Sequence, residues 1–238
     1  MSRLPVFLTL CLLTCGLSAL PLTVNAQGET ETDPFDAVHA YAGVTVYLRQ
    51  GDTEKIRVTG RPKDLEGLVT ETRGTVLHIY YEKLNEGIRF MDFGSERRAK
   101  VYVQAVELNA VKVSSGADVI GESVIRSKSL EVESSSGADV KLEVAAGKLV
   151  LSASSGADMV ISGEADEAEA TASSGSDISA GDLRVRSAYL RASSGSDIKM
   201  TVTREVDAAA SSGGDITVKG NPKIRKESES SGGDVRVR

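Results

Sequence analysis

From Phe35 onward the chain alternates apolar and polar residues in short runs, the two-residue period of half-buried strands, and no helical period is sustained beyond residue 26. Residues 44–48, 56–58, 68–72 and 76–80 read as strands, with turns at Gln50 to Asp52, Gly60 to Pro62 and Arg73 to Gly74. Residues 82–98 break the alternation with charges, two glycines and the apolar group Ile88, Phe90, Met91 and Phe93, and read as a loop.

After Ala99 the alternation becomes periodic. The phrase Ser-Ser-Gly-x-Asp, followed by an apolar residue, occurs seven times, with aspartates at Asp118, Asp139, Asp158, Asp177, Asp197, Asp215 and Asp234. The intervals are 21, 19, 19, 20, 18 and 19 residues, the self-similarity of stacked coils. Within each coil Val119, Val140, Met159, Ile178, Ile198, Ile216 and Val235 follow the aspartate, a mostly polar residue comes next, and the position after it is mostly apolar again. That pattern predicts one inward-facing stripe. Val111, Val132, Leu151 and Leu190, seven before the aspartate, and Ala153, Ala172, Ala192 and Ala210, five before it, predict a second. Two or three short strands and their turns fill about 19 residues, and successive coils stack ~4.8 Å apart. The expected fold is all-β, a parallel β-solenoid, and the usual sense of parallel connections favours a right-handed one. Gly116, Gly137, Gly156, Gly175, Gly195, Gly213 and Gly232 turn the chain at one corner, where φ > 0 and close approach of the next coil are required.

The ends and the charge place the chain. Arg3, the apolar stretch from Leu4 to Leu20 and the small-residue site ending at Ala26 read as an export signal. The expected layout is a signal at 1–26, a polar leader at 27–34, and one solenoid domain at 35–238. The domain divides into N-terminal strands with a capping loop (35–104) and the repeats (105–238). Cys11 and Cys15 both lie in the signal, so a chain cut after Ala26 holds no disulfide. Acylation at Cys15 is the rival processing route, disfavoured by the bulk of Thr14 before it. Loss of Arg3 takes the net charge from −6 to about −7, which argues against nucleic acid or anionic lipid as partner. No segment of the mature chain is apolar enough to span a membrane.

Candidate chemistry is sparse. The seven aspartates would form a carboxylate column; calcium is one reading of it and hydrogen bonding at the turns the other. One such turn per coil, with serines beside it, supplies too few oxygen ligands, so no metal or cofactor is expected. His39 and His78 are the only histidines and read as core or surface residues. No Gly-x-Ser-x-Gly elbow is present. Tyr189 is the only aromatic residue after Tyr102, which leaves little for the sugar groove of a carbohydrate-active β-helix enzyme. Arg89, Phe90, Met91 and Phe93 read either as an interaction lip or as a cap over the first coil.

The repeated phrase, preceded by residues 35–38, 44–51 and 100–103, resembles the putative auto-transporter adhesin, head GIN domain family (DUF2807), over essentially all of the mature chain. That resemblance implies an exported bacterial β-solenoid, and with no catalytic constellation legible in the residues a non-enzymatic one is expected. It also implies an adhesion-type or structural role in the cell envelope and a protein or glycan surface ligand. The chain carries no translocator barrel after the repeats, so self-transport is not expected.

Overall fold

The computed structural model describes residues 29–82 and 99–238; residues 1–28 and the segment with Arg89, Phe90, Met91 and Phe93 lie outside the described residues. The protein is nearly all β, a parallel β-solenoid of about seven turns. Five long strands make up most of it: β9 (Asp118–Ser135), β10 (Asp139–Ser154), β11 (Asp158–Ser173), β12 (Asp177–Ser193) and β13 (Asp197–Ser211). Each runs from one motif aspartate to the first serine of the next motif, so pairing lapses for only three residues per coil. Sequence pattern suggested shorter pieces because it shows the bend but not the unbroken ladder. In β10 the buried residues are Val140, Leu142 and Val144, then Leu149, Leu151 and Ala153. This switch from even to odd numbers marks a second bend around Ala145 to Lys148, and both stripes join one core. Parallel pairing holds aspartate against aspartate in every coil, as in Asp139 with Asp158 and Asp158 with Asp177. Departures from 19 residues are taken up by register shifts, as between Lys141 and Glu143 opposite β9.

The N-terminal strands complete the stack out of chain order. β2 (Ala37–Ala40) pairs parallel with β6 (Val76–Tyr81) on one side and β8 (Ala110–Ser114) on the other. β3 (Thr45–Gln50) likewise lies between β7 (Lys100–Ala105) and β9. The chain therefore leaves its first coil, builds the outer one, and returns to continue inward. The outer edges of β7 and β6 are covered by antiparallel strands, β4 (Lys55–Thr59) and β5 (Leu68–Arg73). The leader contributes β1 (Glu29–Glu31), antiparallel to β4, a strand its polar sequence does not announce. A single turn of helix, α1 (Pro62–Leu65), follows Gly60, started by Pro62 and held by Arg61 on the Asp64 carboxylate at 2.6 Å.

At the far end β14 (Asp215–Lys219) and β15 (Lys223–Ser230) form the last full coil, and β16 (Asp234–Val237) stacks on β14 to begin another. β15 is exposed along its length, and Glu227 and Glu229 stand in register with the buried Ala208 and Ala210. Charges at inward positions and lysines along an edge strand discourage pairing with another chain.

Candidate binding surface

At each motif corner two consecutive residues have positive φ, as at Ser115 (56°) and Gly116 (69°), the geometry of a type I′ turn. The left-handed conformation that sequence reasoning assigned to glycine is thus shared by serine in all seven motifs. A non-glycine residue there costs roughly 1–2 kcal/mol. Hydrogen bonds between coils offset it: the N–H of Gly116 donates to the Ser136 carbonyl at 3.1 Å, and Gly137, Gly156, Gly175 and Gly195 repeat the bond. The residue after glycine is fully buried in the five motifs where it is alanine or serine, at Ala117, Ala138, Ala157, Ser176 and Ser196. The same corner recurs once more at Ala42 (60°) and Gly43 (76°), whose N–H donates to the Ser115 carbonyl. Thr45 there takes the aspartate position, paired with Asp118. The small-Gly-apolar-polar order of residues 42–45 was the available signal, hidden by the absence of the serines and the aspartate.

The structure sets the seven motif aspartates in one column. Two of the carboxylates are held from neighbouring coils, Asp177 accepting the N–H of Asp197 at 3.2 Å and Asp118 the Thr45 hydroxyl, while Asp234 pairs with Arg236 on its own strand. Partial burial, then the charge of Asp139, raises the Asp118 carboxyl above its usual range, and burial followed by Asp197 does the same for Asp177. Among the described residues no three His, Cys, Asp or Glu side chains converge as a metal centre needs.

A prediction follows with a definite sign. A carboxyl whose folded pKa is raised destabilises the fold while ionised, and the penalty disappears as the pH falls from above its folded pKa to below the unfolded value of 3.8. Asp177→Asn keeps an acceptor for the Asp197 N–H and removes the charge. Its melting temperature at pH 7 should rise by about 1 °C, the scale of exposed substitutions in a chain of this size, and the gain should vanish below pH 3.8. Thermal melts of both proteins across that range check it; a lower melting temperature at pH 7 would show that the charge itself holds the corner.

The outer faces carry two ring clusters at the N-terminal end. Register places Glu71, His78, His39, Lys112 and Glu133 in one row across five strands. His39 and His78 lie 5.4 Å apart, and Tyr41 stacks on Tyr80 at 4.7 Å. Burial lowers both imidazoles, helped at His39 by His78 and at His78 by Arg73, while the Glu71 carboxylate pushes Tyr80 up to about 12. On the opposite face Tyr47 stacks on Tyr102 at 5.0 Å, and Arg57 lies 4.0 Å over the latter ring. The histidines are therefore half-buried members of a surface cluster, which their 39-residue separation concealed.

Another assembled surface is an open groove of about 350 Å³ on the side of the second bend, lined by Lys148, Glu169, Tyr189, Arg204, Glu205, Asp207 and Arg225 among others. Arg225 reaches Glu205 at 3.4 Å and Asp207 at 3.9 Å, and Arg204 reaches Glu205 at 3.6 Å. The sequence marked Tyr189 as a lone aromatic; its partners become visible only through the register.

The fold defines a parallel β-solenoid whose polar side chains lie on open outer faces. Residues 34–222 match the model of the family described as putative auto-transporter adhesin, head GIN domain (DUF2807), and the chain belongs to that family. No curated protein matches it. Among solved structures it is similar to a putative adhesin from Bacteroides fragilis, at 20% identity and a TM-score of 0.78, over 92% of this chain and 99% of that one. A putative adhesin from Parabacteroides merdae aligns at 17% identity and a TM-score of 0.68, over 90% and 95% of the two chains. A putative lipid binding protein from Parabacteroides distasonis aligns at 20% and 0.64, over 92% and 98%. At such identities the likeness is one of fold.

Proposed function

We propose that the protein is an exported, non-enzymatic β-solenoid that acts as an adhesion-type interaction module of the cell envelope, with a protein or glycan at a surface as its ligand. The proposal includes removal of residues 1–26 on export and a single solenoid domain at 35–238. The observation that carries it is the placement of polar side chains on open faces of a rigid stack. Family membership supports the same reading.

The rival, a carbohydrate-active β-helix enzyme, draws on the groove where acids and bases meet. There the Glu205 carboxylate already accepts from Arg225 at 3.4 Å and lies 3.6 Å from Arg204, which takes the positions that a glycosidic oxygen or a water would need on that acid. Lipid binding, as named for the Parabacteroides distasonis protein, asks for an apolar slot. Among the described residues the exposed large hydrophobic side chains are Val160 and Ile224, isolated on different strands.

The test is retention of solubilised envelope components by the immobilised mature protein, together with a reducing-end assay on polysaccharides. Specific retention without new reducing ends is expected. No retention counts against the module, and cleavage of a polysaccharide would transfer the assignment to an enzyme.

A further inference from the structure

Two successive coils each carry one extra residue beside the groove, and both bulges contain an arginine. Between β12 and β13 the register passes from Val185 with Val202 to Ser187 with Glu205, so Arg186 faces both Thr203 and Arg204. Between β13 and β15 it passes from Val206 with Ile224 to Asp207 with Lys226, leaving Arg225 as the added residue. Bulges of this kind re-aim a side chain, and they recur beside functional sites. Here they bring two largely exposed guanidiniums, at 62% and 61% side-chain exposure, to one groove.

The same groove holds Tyr189, the one aromatic residue of the repeats, and register sets it in a row between Glu169 and Asp207 of the adjoining coils. The Arg191 guanidinium lies 4.8 Å over the Tyr189 ring, so a ligand in the groove meets the ring's other face or its hydroxyl edge. Beneath lie Ala168 and Ala188, in register with Leu149 and Val206 of the flanking coils. The space is at the small end of ligand sites, which run to roughly 300–1,000 Å³, and it is open rather than enclosed.

We infer that this groove binds a neutral pyranose unit of a glycan chain, with Tyr189 against the C–H face of the ring and Glu169, Asp207, Arg204 and Arg225 hydrogen-bonded to its hydroxyls. Aromatic carbon supplies the apolar contact a sugar ring offers, and the carboxylates accept where the guanidiniums donate. Bases and acids nearly balance along the groove, Lys148, Arg204 and Arg225 against Glu167, Glu169, Glu205 and Asp207, which favours a ligand without net charge. An open groove admits an internal unit of a polymer.

This site deepens the adhesion-type reading and rests on it. The experiment titrates isotope-labelled mature protein with neutral methyl hexopyranosides, methyl glucuronide and glucosamine, and follows backbone amide shifts. Saturable shifts with at least one neutral glycoside, confined to the neighbourhood of Lys148, Tyr189, Arg204 to Asp207 and Arg225, are expected, with Kd on the order of millimolar for one ring on an open surface. Tyr189→Ala and Arg225→Ala should each weaken binding about tenfold while leaving the amide spectrum folded elsewhere, and Tyr47→Ala on the far face should leave it unchanged. No shift with any neutral glycoside, shifts confined to the His39 and Tyr80 cluster, binding of the charged sugars alone, or binding that survives Tyr189→Ala would each overturn the assignment. Capture of an envelope component equally by wild type and Tyr189→Ala would remove this site while leaving the module reading intact. Absence of capture together with absence of shifts would remove both.

Discussion

Ile198→Asp should lower the melting temperature by more than about 10 °C or prevent folding, while Lys199→Gln, one residue along, should move it by no more than a degree or two. Ile198 is 1% exposed and stands in register between Ile178 and Ile216, each itself buried, so a carboxylate there would face apolar neighbours in both adjoining coils. An unpaired charge in such a place costs several kcal/mol, and each kcal/mol shifts the melting temperature by roughly 2–4 °C at this size. Lys199 points outward and lines a hollow with Asp177, Asp197 and Asp215, so glutamine is the cleaner control, because glutamate would add like charge to the aspartate column. Thermal melts of the two variants, run side by side, test the alternation of the strand. Equal shifts would mean that the two residues face the same medium and that the register is displaced by one.

The repeat region was legible because the motif carries its own alignment: once the seven aspartates are superposed, Ile178, Ile198 and Ile216 fall into one inward column without further information. The N-terminal end was not. Its strands were recognisable singly, but nothing in residues 37–50 says that they lie between β6 and β8 on one side and between β7 and β9 on the other, since pairing among residues 39 to 73 positions apart leaves no local trace. Strand β1 was hidden for a related reason, because three polar residues on an antiparallel edge need no apolar alternation. The groove lay between these cases. Tyr189 stood out by its rarity, whereas Arg204 and Arg225 reach it through bulges, and a bulge shifts the register by one residue without altering the composition around it. The segment with Arg89, Phe90, Met91 and Phe93 lies outside the described residues and does not enter the groove proposal.

Ala157→Leu should destabilise the protein by about 3 kcal/mol or more, whereas Ala157→Ser should be tolerated. Ala157 is the residue after glycine in its motif, fully buried, and its carbonyl accepts the N–H of Asp177 from the next coil at 3.1 Å. The space at this column can be gauged from the coils that have lost even a methyl group. A Cβ built on Gly214 would come within 2.7 Å of the Ala192 carbonyl carbon, and one on Gly233 within 2.5 Å of the Ala210 carbonyl carbon, both of them backbone atoms that cannot rotate away. Serine fits where the column allows it, because Ser176 and Ser196 are fully buried and their hydroxyls donate to the carbonyls of Ser173 and Ala172 at 2.9 and 2.8 Å. A leucine has neither a void to enter nor a polar group to satisfy. Overpacking a full interior usually costs roughly 1–3 kcal/mol, and here the strain would also part the hydrogen bonds that carry the ladder through the turn, such as the one from the Gly156 N–H to the Ser174 carbonyl. Urea unfolding of the two variants, with amide exchange read at Gly156 and Asp177, distinguishes the outcomes. A leucine variant that kept wild-type stability and slow exchange at both sites would mean that the corner opens freely to solvent, and the limit on side-chain size at this column would then need another cause.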